Sequence, residues 1–277
     1  MLRKLMRYDF SAVVGLWWIP AVTLLALAPL TGLFLWLSGN TDPYSAMSVA
    51  VSAITGVLVF LYIVTFVAAI LLTLFFCHRR LYCNFYTDEG YLTFTLPVPR
   101  RILLLSKTLV TYLVTLATLV VCAGSLSLLA VTSGHGKRIF GAIGNWFGKL
   151  FDQFGGIAAL YIVEAVVLIL LFVAYLQVLI QFAITVGAVL AKKHKILVAI
   201  GIYYVASNVL ELLLTLGAQF IASFMGVAVV RFTDLSLSRI YGITGLLLFM
   251  GALFVALVDA MLYVWTLSLV ERRLNLA

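Results

Sequence analysis

Charged residues are scarce in this chain, and that scarcity excludes a soluble globular domain. Only 10% of the 277 residues are charged, whereas soluble domains carry about 25%. Hydrophobic residues make up 65%, and the mean hydropathy is +1.19. The composition predicts an integral membrane protein. Its net charge of +8 must therefore be interpreted by the side of the membrane on which the basic residues lie.

Cysteines are few, and the common catalytic and phosphate-binding motifs are missing. The three cysteines form no C-x-x-C pair and no even framework, so we expect neither structural disulfides nor a cysteine metal site. They are Cys77, Cys83 and Cys122. The sequence contains no G-x-x-x-x-G-K-[ST], H-E-x-x-H or G-x-S-x-G motif, and its three histidines fall between different spans. We therefore predict no catalytic residue, no bound cofactor and no metal on this chain, and no enzyme activity of its own.

Long apolar segments take up most of the chain. Six of them are long enough to cross about 30 Å of hydrocarbon. They lie at residues 16–38, 49–76, 102–132, 157–190, 196–226 and 241–270. The fourth would form a helix of about 50 Å, so it must tilt or protrude from the bilayer. The basic N-terminus followed by an apolar run resembles a signal peptide. That run continues through Leu37, beyond the ~7–15 residues of a signal core, and predicts an uncleaved first span.

The distribution of basic residues predicts the orientation. With the N-terminus inside, thirteen of the eighteen lysines and arginines fall in inner segments and five in outer ones. This bias, together with an even number of spans, predicts that both termini are cytoplasmic. Residues 1–12 place Leu2, Leu5, Met6 and Phe10 roughly on one helical face, which favours a short interfacial helix before the first span. The alternative is a simple basic tail that only sets the topology.

The outer segment 133–156 is more than a linker. Its apolar residues recur at helical spacing between Lys137, Arg138, Lys149 and Asp152. They are Ile139, Phe140, Ile143, Trp146, Phe147, Leu150, Phe151 and Phe154. The pattern predicts an amphipathic helix that either lies on the outer leaflet or packs against the outer ends of the spans.

Three carboxylates lie within predicted spans, where an unpaired charge costs several kcal/mol. They are Glu164, Glu211 and Asp259. Glu211 belongs to a polar stripe on the fifth span formed by Tyr204, Asn208, Glu211, Thr215 and Gln219, at spacings of three and four residues. A shorter stripe on the fourth span consists of Gln177, Gln181 and Thr185. Such groups either line a translocation path or join helices by hydrogen bonds, and the fifth-span stripe should face protein or water rather than lipid.

One polar stretch, Cys77 to Lys107, carries five of the eighteen basic residues and the adjacent acids Asp88 and Glu89. From Asp88 onward it reads D-E-G-Y-L-T-F-T-L-P-V-P-R-R-I-L-L-L-S-K. This resembles the stretch between the second and third spans in permease subunits of type-2 ABC transporters, the exporter-like class. Those subunits often carry variants of GYL–LPVSRR–LL–SK, and here Pro99 replaces the commoner serine. The basic N-terminal segment and the six predicted spans extend the resemblance along the whole chain.

The resemblance implies an all-α fold forming a single six-span domain over residues 1–277. It implies an interfacial connecting helix at about Leu2–Phe10, and a coupling loop over 77–101 that rests on a cytoplasmic ATPase subunit. The coupling helix would lie within about Arg79–Glu89. The implied contact residues are Arg79, Arg80, Tyr82, Asn84, Phe85, Tyr86, Asp88 and Glu89. The residues alone allow another interpretation, in which the loop is solvated and binds anionic lipid through its arginines.

The resemblance also implies partners and a location. Two copies of a separate ABC ATPase would supply ATP and Mg, and a second permease, identical or not, would complete the path in a bacterial cytoplasmic membrane. Membrane lipids are expected partners and nucleic acid is not. The exported substrate would be a peptide, a drug or a lipid-like molecule. The alternative is a proton- or ion-coupled secondary transporter that uses Glu164, Glu211 and Asp259.

Overall fold

The protein is built from α-helices. A computed structural model describes residues 2–42, 44–87, 89–95, 97–191, 193–231 and 237–272, and all regular structure in these residues is helical. The helices are α1 (Leu2–Asn40), α2 (Ala46–Tyr86), α3 (Glu89–Thr95), α4 (Arg100–Thr132), α5 (Gly136–Phe154), α6 (Ile157–Leu190), α7 (Lys195–Arg231) and α8 (Leu237–Arg272). Six of the helices so described, α1, α2, α4, α6, α7 and α8, are long and apolar enough to cross a membrane. The predicted all-α, multi-pass character is confirmed.

The predicted interfacial helix over residues 1–12 is not a separate element. α1 is one continuous helix of 39 residues, about 58 Å long, with Pro20 and Pro29 inside it. No proline or pair of glycines interrupts the sequence between Leu2 and Trp18, so nothing ends the helix before the apolar run. Because a bilayer core is about 30 Å thick, a helix of this length must extend well beyond it.

The stretch predicted as a coupling loop over 77–101 is also mostly helical. α2 continues without interruption to Tyr86, and the separate short helix is α3, which begins only at Glu89. Residues 77–86 contain neither glycine nor proline, so α2 has no reason to stop earlier. At the turn into α3, a Cβ on Gly90 would lie 2.8 Å from the Phe85 carbonyl oxygen, and this close approach requires glycine.

The chain divides into two compact units, and the division falls inside α2, α4 and α5. Unit 1 contains residues up to Arg80 and Leu105–Lys149, and unit 2 contains Leu81–Leu104 and the residues from Leu150 onward. In unit 1, buried side chains of α1, α2 and α4 form the core, including Leu24, Tyr62 and Val114. Hydrogen bonds cross this core from Trp17 to Thr118 (2.7 Å) and between Tyr62 and Ser125 (3.0 Å).

Unit 2 is centred on α6, which packs against both α7 and α8. Its core contains Tyr175, Leu179 and Phe182 from α6, Leu210 from α7 and Leu262 from α8. The bounds of α6 coincide with the predicted fourth span. The helix predicted in the outer segment is present as α5.

Candidate coupling segment

The polar stretch from Arg80 to Lys107, here called the coupling segment, is held by several side-chain contacts. It comprises the end of α2, the short helix α3, the Pro97–Pro99 turn and the start of α4. Residues 81–104 of this stretch belong to unit 2, whereas Arg80 and residues 105–107 belong to unit 1. Each part is held by contacts within its own unit.

Aromatic packing fixes the centre of the coupling segment. Phe85 is completely buried, and its ring stacks on Phe94 of α3 with centroids 5.5 Å apart. The Arg100 guanidinium lies over the same Phe94 ring, 5.0 Å from its centroid. Stacked rings and a cation over a ring each add roughly 0.5–1.5 kcal/mol beyond area burial. The end of α2, α3 and the start of α4 therefore form one folded piece.

A buried hydrogen bond attaches the end of α2 to α6. The Tyr86 hydroxyl lies 2.7 Å from Thr185 Oγ1, and both side chains are almost fully buried. Thr185 also donates to the carbonyl of Gln181, while Lys195, the first residue of α7, donates to the Tyr86 carbonyl at 3.4 Å. The predicted stripe of Gln177, Gln181 and Thr185 is thus inside unit 2, with each side chain at most 1% exposed.

The start of α4 is attached to the end of α8. Arg100 Nη1 donates to the carbonyls of Val270 (3.1 Å) and Glu271 (2.9 Å), which lie in the last turn of α8. Cations favour helix C-termini because the last carbonyls carry partial negative charge. Arg101 Nε donates to Glu271 Oε1 at 2.9 Å, but the Arg101 side chain is 72% exposed and this pair adds little.

A buried charge cluster holds the unit 1 part of the coupling segment. Asp9 of α1 accepts hydrogen bonds from Ser106 Oγ and Lys107 Nζ, both at 2.8 Å. Arg80 Nη2 lies 3.4 Å from the same carboxylate. Asp9, Ser106 and Lys107 are 8%, 0% and 7% exposed. Charges so deeply buried require their partners, and removing one partner from such a pair typically costs 3–5 kcal/mol.

The residues predicted to contact an ATPase differ in how exposed their side chains are. Arg79 is exposed, and Tyr82 and Asn84 are partly exposed, so these three are available to a partner. Phe85 and Tyr86 are covered by unit 2 itself, so in this conformation they support the surface and do not form it. The Arg80 guanidinium forms an ion pair with Asp9. Asp88 lies outside the described residues, and of Glu89 only its position as the first residue of α3 is described.

The predicted polar stripe on α7 lies on an exposed face of the chain. Tyr204 is 69% exposed, and Asn208, Glu211, Thr215 and Gln219 are also exposed. Asn208 and Thr215 bond back to carbonyls of their own helix, at 2.7 and 2.8 Å. The described residues therefore leave the stripe uncovered. In a membrane, it needs a second chain or an aqueous path.

The other two carboxylates of the predicted path are partly covered. Asp259 on α8 has both carboxylate oxygens buried, and neither has a hydrogen-bond partner among the described residues. Glu164 on α6 has one buried carboxylate oxygen, Oε2, that has no hydrogen-bond partner among the described residues. Tyr175, near the middle of α6, is buried in the core of unit 2.

Two features of this site were not expected from the sequence. Asp9 had no predicted role, although it is the only acidic residue in the basic N-terminal segment, and that isolation was an available signal. The burial of Tyr175 is the other, because a tyrosine within an apolar run carries no signal that separates core packing from a polar role.

Comparison with protein-family models, with curated proteins and with solved structures yields no match to this chain. The resemblance to permeases of type-2 ABC transporters therefore remains a prediction from the sequence.

Proposed function

We propose that the chain is the permease subunit of an ATP-driven exporter, coupled to a separate cytoplasmic ATPase through the coupling segment. The motif from Asp88 to Lys107 and the six membrane-capable helices support this proposal. The observation that carries it furthest is the way residues 81–104 are attached within unit 2. They bond to α6 through Tyr86, to α7 through Lys195 and to α8 through Arg100.

These attachments give a path for mechanical coupling. A displacement of the coupling segment would be transmitted to three membrane-capable helices through one buried hydrogen bond to α6 and part-buried hydrogen bonds to α7 and α8. Packed helices with such contacts change between discrete arrangements and do not deform continuously. ATP-driven movement of a partner would in this way switch the spans between inward-open and outward-open packings. A second permease, identical or not, would complete the path.

The test is affinity purification of the tagged chain in mild detergent from its native host, with ATPase activity measured on the eluate. We expect an ATPase subunit to co-purify. Arg79→Glu with Tyr82→Ala should reduce its recovery at least fivefold, because both side chains are accessible. Arg138→Glu on α5, outside the coupling segment, is the matched charge-reversal control and should leave recovery unchanged.

A second pair of variants separates binding from coupling. Tyr86→Phe and Thr185→Val each remove the 2.7 Å hydrogen bond without changing the accessible surface. We expect normal recovery of the ATPase but weaker stimulation of its turnover by substrate. If no ATPase co-purifies with the unmodified chain, the proposal fails.

The second candidate function is ion-coupled secondary transport, and Asp259 is the observation that favours it. A carboxylate buried without a hydrogen-bond partner among the described residues is expensive in a membrane and is often part of an ion or proton pathway. Transport that survives ATP depletion, collapses with the proton gradient and is abolished by Asp259→Asn would establish this function. Transport that is lost on ATP depletion and persists in Asp259→Asn would exclude it.

A further inference from the structure

Helix α5 presents an apolar face that the described part of the chain leaves mostly uncovered. Six of the eight apolar side chains on this face are exposed, from 37% at Phe147 to 59% at Trp146. At about 100° per residue they fall within an arc of roughly 140°. Lys137, Arg138, Asn145 and Lys149 project from the other side of the helix. Of the two positions predicted for this helix, packing against the ends of the spans is seen only at its last residue, where the Phe154 ring contacts Tyr161 of α6 with centroids 5.6 Å apart.

Short connections hold both ends of α5 close to membrane-capable helices. Only residues 133–135 separate it from α4, and only Gly155 and Gly156 separate it from α6. Connections of this length reach at most about 15 Å even when fully extended. Gly134 (φ 76°) and Gly155 (φ 56°) have left-handed backbone conformations at the two corners, where the chain turns between helices. The first turn of α5 therefore stays close to the end of α4, and its last turn stays close to the beginning of α6.

The composition of α5 indicates that an outside surface stabilises the helix. Gly141, Gly144 and Gly148 lie inside it, and a Cβ at any of them would meet nothing within 4 Å. Glycine in a helix interior disfavours helix by about 1 kcal/mol relative to alanine. A peptide of 19 residues with three interior glycines is a weak helix in water. Burial of its apolar face at an interface would supply the missing stabilisation.

The charge of α5 identifies the surface that it fits. Lys137, Arg138 and Lys149 outnumber Asp152, so the helix carries a net charge of +2. We propose that α5 lies in the headgroup region of the bilayer beside α4 and α6. Its apolar face points toward the acyl chains, and its basic residues bind anionic phospholipid headgroups. Basic residues close to an anionic membrane surface are attracted to it, and the attraction disappears within a Debye length.

The test uses the full-length protein reconstituted in vesicles, with one fluorophore on an introduced cysteine. Ile143→Cys and Asn145→Cys form a matched pair, because both positions are exposed and they lie on opposite faces of α5. Cys83 is replaced by Ser in both, since it is the only half-buried native thiol and Cys77 and Cys122 are buried. We expect a lipid-borne quencher to act at least fivefold more strongly on the Ile143→Cys label. Aqueous iodide should quench the Asn145→Cys label more strongly than the Ile143→Cys label.

Two results would overturn the membrane position. Equal quenching of both labels by iodide would show that α5 stands away from the bilayer. Protection of the Ile143→Cys label from both quenchers would show that a protein covers the apolar face. Phe140→Cys and Ala142→Cys provide a second pair on opposite faces, for use if either of the first variants fails to fold.

A separate arm tests the preference for anionic lipid. Protection of the Ile143→Cys label from iodide is compared in phosphatidylcholine vesicles with and without 30% phosphatidylglycerol. We expect the anionic lipid to increase protection at least twofold, and Lys137→Gln/Arg138→Gln/Lys149→Gln to abolish that increase. An increase that persists in the triple variant, or no increase in the parent, would overturn the role of the basic residues.

Discussion

Asp9 shows how much a single buried side chain can determine. Its carboxylate is the acceptor for Ser106 and Lys107, and it also pairs with Arg80, so three parts of unit 1 meet at one group. Because Asp9, Ser106 and Lys107 are almost fully buried, water replaces a lost partner among these three poorly. The cluster fixes the beginning of α4 relative to α1 in unit 1.

Asp9→Ala should therefore destabilise the protein strongly. It leaves the Lys107 ammonium buried without its carboxylate, and we expect a loss of about 3 kcal/mol in the free energy of unfolding. The effect is measured by thermal unfolding of the detergent-solubilised protein, with size-exclusion chromatography used to quantify the fraction that remains folded. Glu271→Ala is the control, because its partner Arg101 is mostly solvated and the loss should stay under about 1 kcal/mol.

A double variant checks the cause. Asp9→Leu combined with Lys107→Met removes both buried charges, and it should be more stable than Asp9→Ala. Equal destabilisation by the single and double variants would show that packing, and not the unpaired ammonium, is responsible.

The sequence could not have predicted this cluster. Asp9 and Lys107 lie 98 residues apart, and no local pattern relates positions on two different helices. The same limit applies to Tyr86 and Thr185, which are 99 residues apart. In the sequence, Tyr86 is an aromatic residue close to charged ones, and this pattern predicts a side chain that is exposed for contact with a partner. Its burial follows only from the contacts that the end of α2 makes within unit 2, among them the hydrogen bond to Thr185 on α6.

At the level of the helix, apolar length predicted the spans well and their ends poorly. The hydropathy signal stops where the bilayer stops, whereas α1 and α2 extend beyond it as polar helix. Residues 77–86 were therefore predicted as part of a loop, although they have ordinary helix propensities. By contrast, both bounds of α6 were predicted correctly, because Gly155 and Gly156 precede it and polar residues follow it.

Close contact between α6 and α7 depends on a glycine. A Cβ added to Gly187 would lie 2.8 Å from the backbone nitrogen, Cα and Cβ of Ala199. Small residues at such crossings let two helix backbones approach closely. Gly187→Ala should therefore separate α6 from α7 and reduce stability by about 1–3 kcal/mol.

Gly201→Ala on α7 is the matched control, since a Cβ there meets nothing within 4 Å. It should leave the thermal unfolding temperature unchanged or raise it slightly, because alanine favours helix. If both substitutions lower the temperature equally, the contact between Gly187 and Ala199 is not what limits packing in unit 2.

For the whole molecule, the exposed polar stripe on α7 is the strongest indication that this chain does not act alone. In the proposed exporter, the stripe faces an aqueous path completed by a second permease. We therefore predict that Asn208→Cys reacts with a membrane-impermeant maleimide at least tenfold faster than Leu213→Cys. Leu213 lies on the other side of the same helix and is 50% exposed in the isolated chain. Thiols must ionise to react, and ionisation requires water.

The comparison is made in intact membranes, with Cys83→Ser in both variants. Slow labelling at both positions would contradict an aqueous path and favour a dry helix contact, the other role considered for this stripe. Labelling of Asn208→Cys that changes with ATP would additionally connect the stripe to the transport cycle.

The attachment of the coupling segment to α8 also constrains the order of events during synthesis. Arg101 leaves the ribosome 170 residues before Glu271, the residue that it pairs with. At 5–20 residues per second, this delay is roughly 10–30 s. During that time the coupling segment has already been synthesised. The surface that it offers to a partner in the proposed exporter still lacks its contact with α8. In the proposed exporter, a chain that is truncated or stalled before α8 would therefore present an unfinished surface, and an ATPase that recognises the finished one would assemble only with chains that contain α8.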